Sequence, residues 1–135
     1  MRHPSIAIDF WELRSAEASQ AKYGDKFWIP PLEERQNVKR GQAARLIFDI
    51  EIDNAGTPEV QGERMYVIVS EKIGDTYIGV LDNQPACLDP DGTFYLSFGA
   101  EIPFLAKHII DIDSPPQDWI EQQLSRNPDH TWPRS

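Results

Sequence analysis

Three histidines and one cysteine are the side chains best suited to chemistry in this 135-residue chain, and their spacing argues against most of it. His3, His108 and His130 lie far apart, and no H-x-x-x-H or C-x-x-C pattern gathers ligands for a metal. His108, between Lys107 and two isoleucines at the close of a β-rich region, reads as a structural histidine. Asp89-Pro90-Asp91-Gly92 opens like a calcium loop, but Thr93 takes the third ligand position and Ala100 stands where a bidentate glutamate is required. A turn accounts for it. Cys87 lies in a loop with Pro85 and Leu88; its context supplies no base, which predicts a half-buried spectator thiol. There is no G-x-S-x-G elbow and no glycine-rich phosphate loop. The acid pairs Glu33-Glu34 and Asp111-Asp113 are read as solvated surface. These residues imply neither a cofactor nor a catalytic centre.

Charge and aromatic content suggest binding instead. Twenty-two acidic residues against 13 basic ones give a net charge of −9, which disfavours nucleic acid and suits association with a basic partner. Four tryptophans, Trp11, Trp28, Trp119 and Trp132, fall near predicted element ends. Most are expected in packing, and one exposed beside carboxylates would make an interface anchor. The single cysteine forms no internal disulfide, no apolar run reaches signal-peptide or transmembrane length, and the expectation is a cytoplasmic protein without membrane contact.

The elements that must position these residues are organised around Arg64 to Pro85. Two runs rich in β-branched and aromatic residues flank Gly74-Asp75, a hairpin-turn dipeptide. This register sets Val69 opposite Val80, Ile68 opposite Leu81 and Gly79 opposite Ser70. It places Val67, Val69, Ile78 and Val80 on one face and Tyr66, Ile68, Tyr77 and Leu81 on the other. Both faces are apolar, so the hairpin is predicted to lie inside the fold. Ala44 to Asp53 alternates with period two, apolar on one side and acidic on the other, with Ile47 the exception. The segment from Asp53 to Gly62 reads as a loop.

Before that strand, Asp9 is predicted to cap a helix that ends at Gly24, with Phe10, Leu13, Ala16 and Gln20 as its apolar stripe. A second, short helix is expected over Pro31 to Asn37, behind the extended anchor Phe27-Trp28-Ile29. Thr93 to Phe98 is a candidate strand, and Ile102 to Phe104, interrupted by Pro103, is expected to be an edge or a bend rather than a central strand. Lys107 to Ile112 closes the β region. Ser114 caps a final helix with Trp119, Ile120, Gln123 and Leu124 on its stripe, and the tail after Asn127-Pro128 is predicted to fray.

Several blocks in this order, F-W-I-P-P-L-E-E-R (Phe27 to Arg35), G-x-x-A-R-L-I-F (Gly41 to Phe48), G-E-R-M-Y-V-x-V (Gly62 to Val69), Y-I-G-x-L-D-N-x-P (Tyr77 to Pro85) and K-H-I-I-D (Lys107 to Asp111), resemble a set of short bacterial domains of unknown function. Some of its relatives look like candidate immunity proteins encoded beside secreted toxins. The resemblance spans roughly Tyr23 to Asp113, about two-thirds of the chain. This chain has Tyr66 where the family pattern has Trp, and its segment from Ala86 to Phe104 is longer than usual. The family carries no established catalytic residues.

Together these readings predict one α+β domain over residues 1–135. Its centre is a strongly bent antiparallel sheet of about five strands, barrel-like in curvature, with helices before and after it. The expected function is non-catalytic protein binding, in its sharpest form neutralisation of a bacterial toxin. The alternatives are a small enzyme and a small-molecule-binding regulatory module. Asp82, Asn83, Asp89 and Asp91, on the loop after the hairpin, together with Trp28, are the expected partner-binding residues.

Overall fold

A computed structural model describes all 135 residues. The sheet is antiparallel and strongly curled, a half-barrel built from β1 (Trp11–Leu13), β2 (Ala43–Asn54), β3 (Thr57–Ile73), β4 (Thr76–Leu81) and β5 (Glu101–Phe104) in that spatial order. A further strand, β6 (Ile109–Asp113), pairs with β2 beyond β1, opposite residues 43–46. The helices are α1 (Ile6–Asp9), α2 (Ala16–Tyr23), α3 (Leu32–Gln36) and α4 (Gln117–Leu124). None is long and apolar enough to cross a membrane.

The β3–β4 hairpin turns at Gly74-Asp75 as its sequence demands. Gly74 takes a φ of 60° at the first central position, the geometry of a type II′ turn, and Ile73 pairs with Thr76. Beyond Glu71↔Ile78 the predicted register fails by one residue. A β-bulge at Ser70 puts Val69 opposite Gly79, Ile68 opposite Val80 and Val67 opposite Leu81. The Ser70 hydroxyl donates to the Ile78 carbonyl at 3.0 Å and its own carbonyl accepts from Arg40, which uses the groups that the bulge frees. The slip exchanges faces: Val67, Val69, Tyr77 and Leu81 enter the main core, while Ile68, Ile78 and Val80 lie outside that cluster yet are buried. Gly79 fills a different need from the predicted gap opposite Ser70. A Cβ there would stand 2.7 Å from a Val67 methyl carbon. Both faces of the hairpin are nonetheless covered, with α4 packed against β3.

The strand over 44–53 is present, and Leu46, Phe48 and Ile50 are buried on its core side. Ile47, the exception to the alternation, joins Ala16, Ile29 and Ile110 in a second small core where α2 and the Phe27–Ile29 anchor cover the sheet's other side. The expected loop over residues 53–62 is instead strand. Ala55-Gly56, both with positive φ, close a two-residue turn, so β3 starts at Thr57 and pairs with β2 from Thr57 to Ile68. The turn signals were real, but they needed only two residues.

The N-terminal region departs most from expectation. Asp9 does not cap a long helix: its carboxylate accepts from Arg2 and from the Ser5 backbone N–H, and it ends the single turn of α1. Trp11–Leu13 then pairs with Phe48–Ile50 as a strand, which buries Trp11. Ser15 is the true cap of α2, its hydroxyl accepting from the Ala18 N–H. Gly24 does end that helix. Pairing with β2 offered the Trp11–Leu13 backbone and side chains more than a helix of weak amphipathicity could.

Thr93–Phe98 is not a strand but irregular backbone with bends at Tyr95 and Ser97. β5 is the edge strand expected near Pro103, which pairs with Ile78. Pro116, not Ser114, occupies the α4 cap position, with no side-chain hydrogen bond, and Gln117 is therefore its first residue rather than its third. The tail does not fray. Trp132 is buried, its backbone N–H donates to Glu101 Oε1 and its indole N–H donates to the Arg2 carbonyl. Arg134 completes the fastening with ion pairs to Glu71 and Glu101, each at 2.8 Å.

Candidate functional site

The largest apolar hollow is a cleft of about 850 Å³ at the end of the half-barrel away from the β3–β4 turn. It lies between the α1–β1 corner, the outer half of β2 with the Ala55-Gly56 turn, and the loop over residues 87–96. Trp11, Ile50 and Leu96 are the buried side chains in its lining. Tyr95 is fixed there by three contacts. It stacks on Trp11 at 6.0 Å and on His130 at 5.2 Å, and its hydroxyl donates to the Glu101 carbonyl. His130 Nδ1 lies 2.7 Å from the Tyr95 carbonyl, which can only accept, so that nitrogen carries the proton.

Two aromatic residues of the lining remain open to solvent: Phe10 is 61% exposed and Phe94 47%. Beside them stand four carboxylates, and no lysine, arginine or histidine lines the cleft. Asp9 is neutralised by a two-pronged bond with Arg2, which holds its carboxyl below the usual carboxylate range. Glu51, Asp53 and Asp89 have no cationic partner. Asp53 accepts only the Gly56 N–H, and Asp89 the Asp91 N–H. The cleft is therefore apolar within, aromatic at its opening and negative at its rim.

The loop that forms one wall is anchored by Glu63. Its carboxylate accepts the Ala86 and Cys87 N–H groups at 2.8 and 3.0 Å. Burial opposes that charge, but these bonds and the Cys87 thiol outweigh it and keep the Glu63 carboxyl below its ordinary range. The same arrangement disarms the thiol: burial, then the bond to Glu63 and its charge, push Cys87 up to about 12. Cys87 is a half-buried packing group of the wall. His108 is buried with Nδ1 accepting the Leu105 N–H, and burial, helped by Lys107 and His3, pushes it down to about 4. Neither group is poised for proton or acyl transfer near neutral pH. No three His, Cys, Asp or Glu side chains stand together in a metal-holding geometry.

Of the residues picked from sequence, the structure brings Asp89 and Asp91 together in one tight turn, with Asp89 on the cleft rim and Asp91 exposed beside it. Asp82 and Asn83 have structural partners. The Asp82 carboxylate accepts the Trp119 indole N–H at 3.2 Å, and burial raises its carboxyl despite that bond; Asn83 Oδ1 accepts the Tyr66 N–H. Trp28 is 66% exposed but is not among the cleft residues. Sequence reading missed Phe10, Phe94, Glu51 and Asp53 as a group. The acidic face of β2 was visible as alternation, but nothing local showed that the chain would fold Phe10 and Phe94 against it.

A second hollow, of about 740 Å³, lies between residues 39–42 and α4, and only Ile120 and Leu124 of its lining are apolar. It has the character of a wet surface groove rather than a binding pocket. Comparison with known proteins found no match for this chain among protein-family models, curated proteins or solved structures.

Proposed function

We propose that this is a non-catalytic protein-binding protein whose partner presents a basic surface. The observation that carries the reading is the cleft: exposed aromatic rings beside carboxylates that lack cationic partners, in a chain of net charge −9. Buried apolar area supplies holding energy, and unpaired like charges at a rim steer an oppositely charged partner and reject others. The elevated Cys87 and depressed His108 argue against the small-enzyme alternative, because the two best candidate groups are each held in their unreactive form near neutral pH. Toxin neutralisation is the sharpest version of this function. It rests on the sequence resemblance to bacterial domains that include candidate immunity proteins, and a cytoplasmic location and the absence of a cofactor go with it.

The test is capture of the tagged protein from its native host, followed by titration of whatever protein is recovered against the purified chain. The expected result is a basic protein bound in a defined ratio, with affinity that falls as salt rises. Recovery of no protein partner, or of an acidic one bound without salt dependence, would overturn the reading. So would turnover of a small molecule by the purified chain.

A further inference from the structure

Two residues other than glycine hold a positive φ: Ala55, in the β2–β3 turn that requires it, and Phe10, which is the bulky one. It holds a φ of 66°, in the left-handed region that glycine and asparagine occupy readily and a bulky aromatic residue does not. Its N–H donates to the Ile6 carbonyl and its own carbonyl accepts the Glu51 N–H at 2.8 Å, so both neighbouring peptide groups lock the conformation. In return the fold gains little burial, since the ring is 61% exposed. A glycine or asparagine would fit this corner with less strain. Phe94, on the facing loop, is a second large apolar side chain left in water at the same cleft. Strain and exposure at one residue are costs to folding with no visible folding benefit, a combination that concentrates at binding sites.

Building on the protein-binding reading, we propose that Phe10 and Phe94 are the aromatic anchors of the docking surface, and that it receives a partner segment carrying apolar side chains interleaved with lysine or arginine. Charge selects this occupant. Glu51, Asp53 and Asp89 are uncompensated and no basic residue lines the cleft, so an acidic segment is repelled and a neutral one leaves these charges beside an apolar surface. Basic side chains can also lie over the exposed ring faces.

The peptide Lys-Leu-Lys-Trp-Lys-Leu-Lys serves as a probe, with one analogue that has Ala for the Leu and Trp residues and one that has Gln for every Lys. Binding is followed by calorimetry and by amide chemical shifts of the whole chain. The parent peptide is expected to bind at least about tenfold more tightly than either analogue, with shifts centred on residues 9–11, 50–56 and 87–96. Phe10→Asn and Phe94→Ser each leave net charge unchanged; either should erase the advantage of the parent over its Ala analogue. Phe10→Asn should do so with a melting temperature equal to or above that of the unmodified chain, the reverse of what a structural role for the ring requires. Equal binding of parent and Ala analogue overturns the anchors, and equal binding of the Gln analogue overturns the charge selection in favour of a plain apolar pocket. A host protein captured by the chain but bound equally by both variants would remove this site while leaving protein binding intact. Failure to capture any protein would remove the underlying reading itself.

Discussion

β3 is one strand with two environments. From Met65 to Val69 only Tyr66 is even partly open to water, whereas Thr57 to Gly62 is exposed at every position. Both halves pair with β2, in an unbroken register from Thr57 to Ile68. The difference is what lies on the other side: the inner half also pairs with β4 and packs on α4, while the outer half has neither. Backbone pairing thus fixes where the residues go, and only a third layer decides whether they are core or surface. The outer half, freed from packing, is where the molecule holds an open cleft and tolerates unpaired charge.

The contrast can be broken most severely from the inner side. Val69 is 1% exposed, and Val69→Asp would bury a carboxylate with no partner, at a cost of about 5 kcal/mol or more. That approaches the whole stability of a domain of this size, and the variant is expected to be insoluble or unfolded by circular dichroism. A soluble variant that melts like the unmodified chain would show that the inner half is not the packed core described above.

Trp132 tests whether the tail belongs with the inner or the outer region. Its ring lies edge-on to Trp11 at 5.8 Å and to Tyr95 at 5.6 Å, and it is 3% exposed. Trp132→Ala should cost about 3–5 kcal/mol in chemical denaturation. A loss within measurement error would return the tail to the frayed state that its composition suggests.

His108 gives a smaller effect, readable by pH alone. Its folded-state value of about 4 lies below the ordinary 6.5, so between those pH values the unfolded chain takes up a proton that the folded chain refuses. Its contribution to stability is therefore fully present above pH 6.5 and is lost as pH falls toward 4, by about 3 kcal/mol in total. His108→Gln should flatten the stability–pH curve over that window while leaving partner binding near neutral pH unchanged. An unaltered slope would mean that the imidazole is hydrated.

The outer region should respond least in stability and most in association. Asp89→Lys combined with Asp91→Lys reverses exposed charge and is expected to move stability by under about 0.5 kcal/mol. It should slow association with a basic partner and weaken the salt dependence of that rate. Surface plasmon resonance at two salt concentrations checks this, and an unchanged on-rate would exclude this turn from the interface.

Local sequence determined the features that depend on one segment and its periodicity. The alternation of β2 announced a half-buried strand, Gly74-Asp75 announced the hairpin turn, and proline placement set the start of α3 and the edge character of β5. The α+β class and the bent antiparallel sheet followed from those. Tertiary structure alone decided the rest, because the competing local states differ by little. Residues 10–13 could extend a helix or pair with β2, and pairing won by burying Trp11 against Phe48, which lies far away in sequence. One extra residue, Ser70, accommodated in a bulge, exchanged the faces of the hairpin, an outcome fixed by packing on both sides rather than by the strand's own pattern. The cleft is of this second kind: its walls are chain segments separated by dozens of residues, and the left-handed Phe10 at its mouth is held by Glu51, so no window of sequence contains the site.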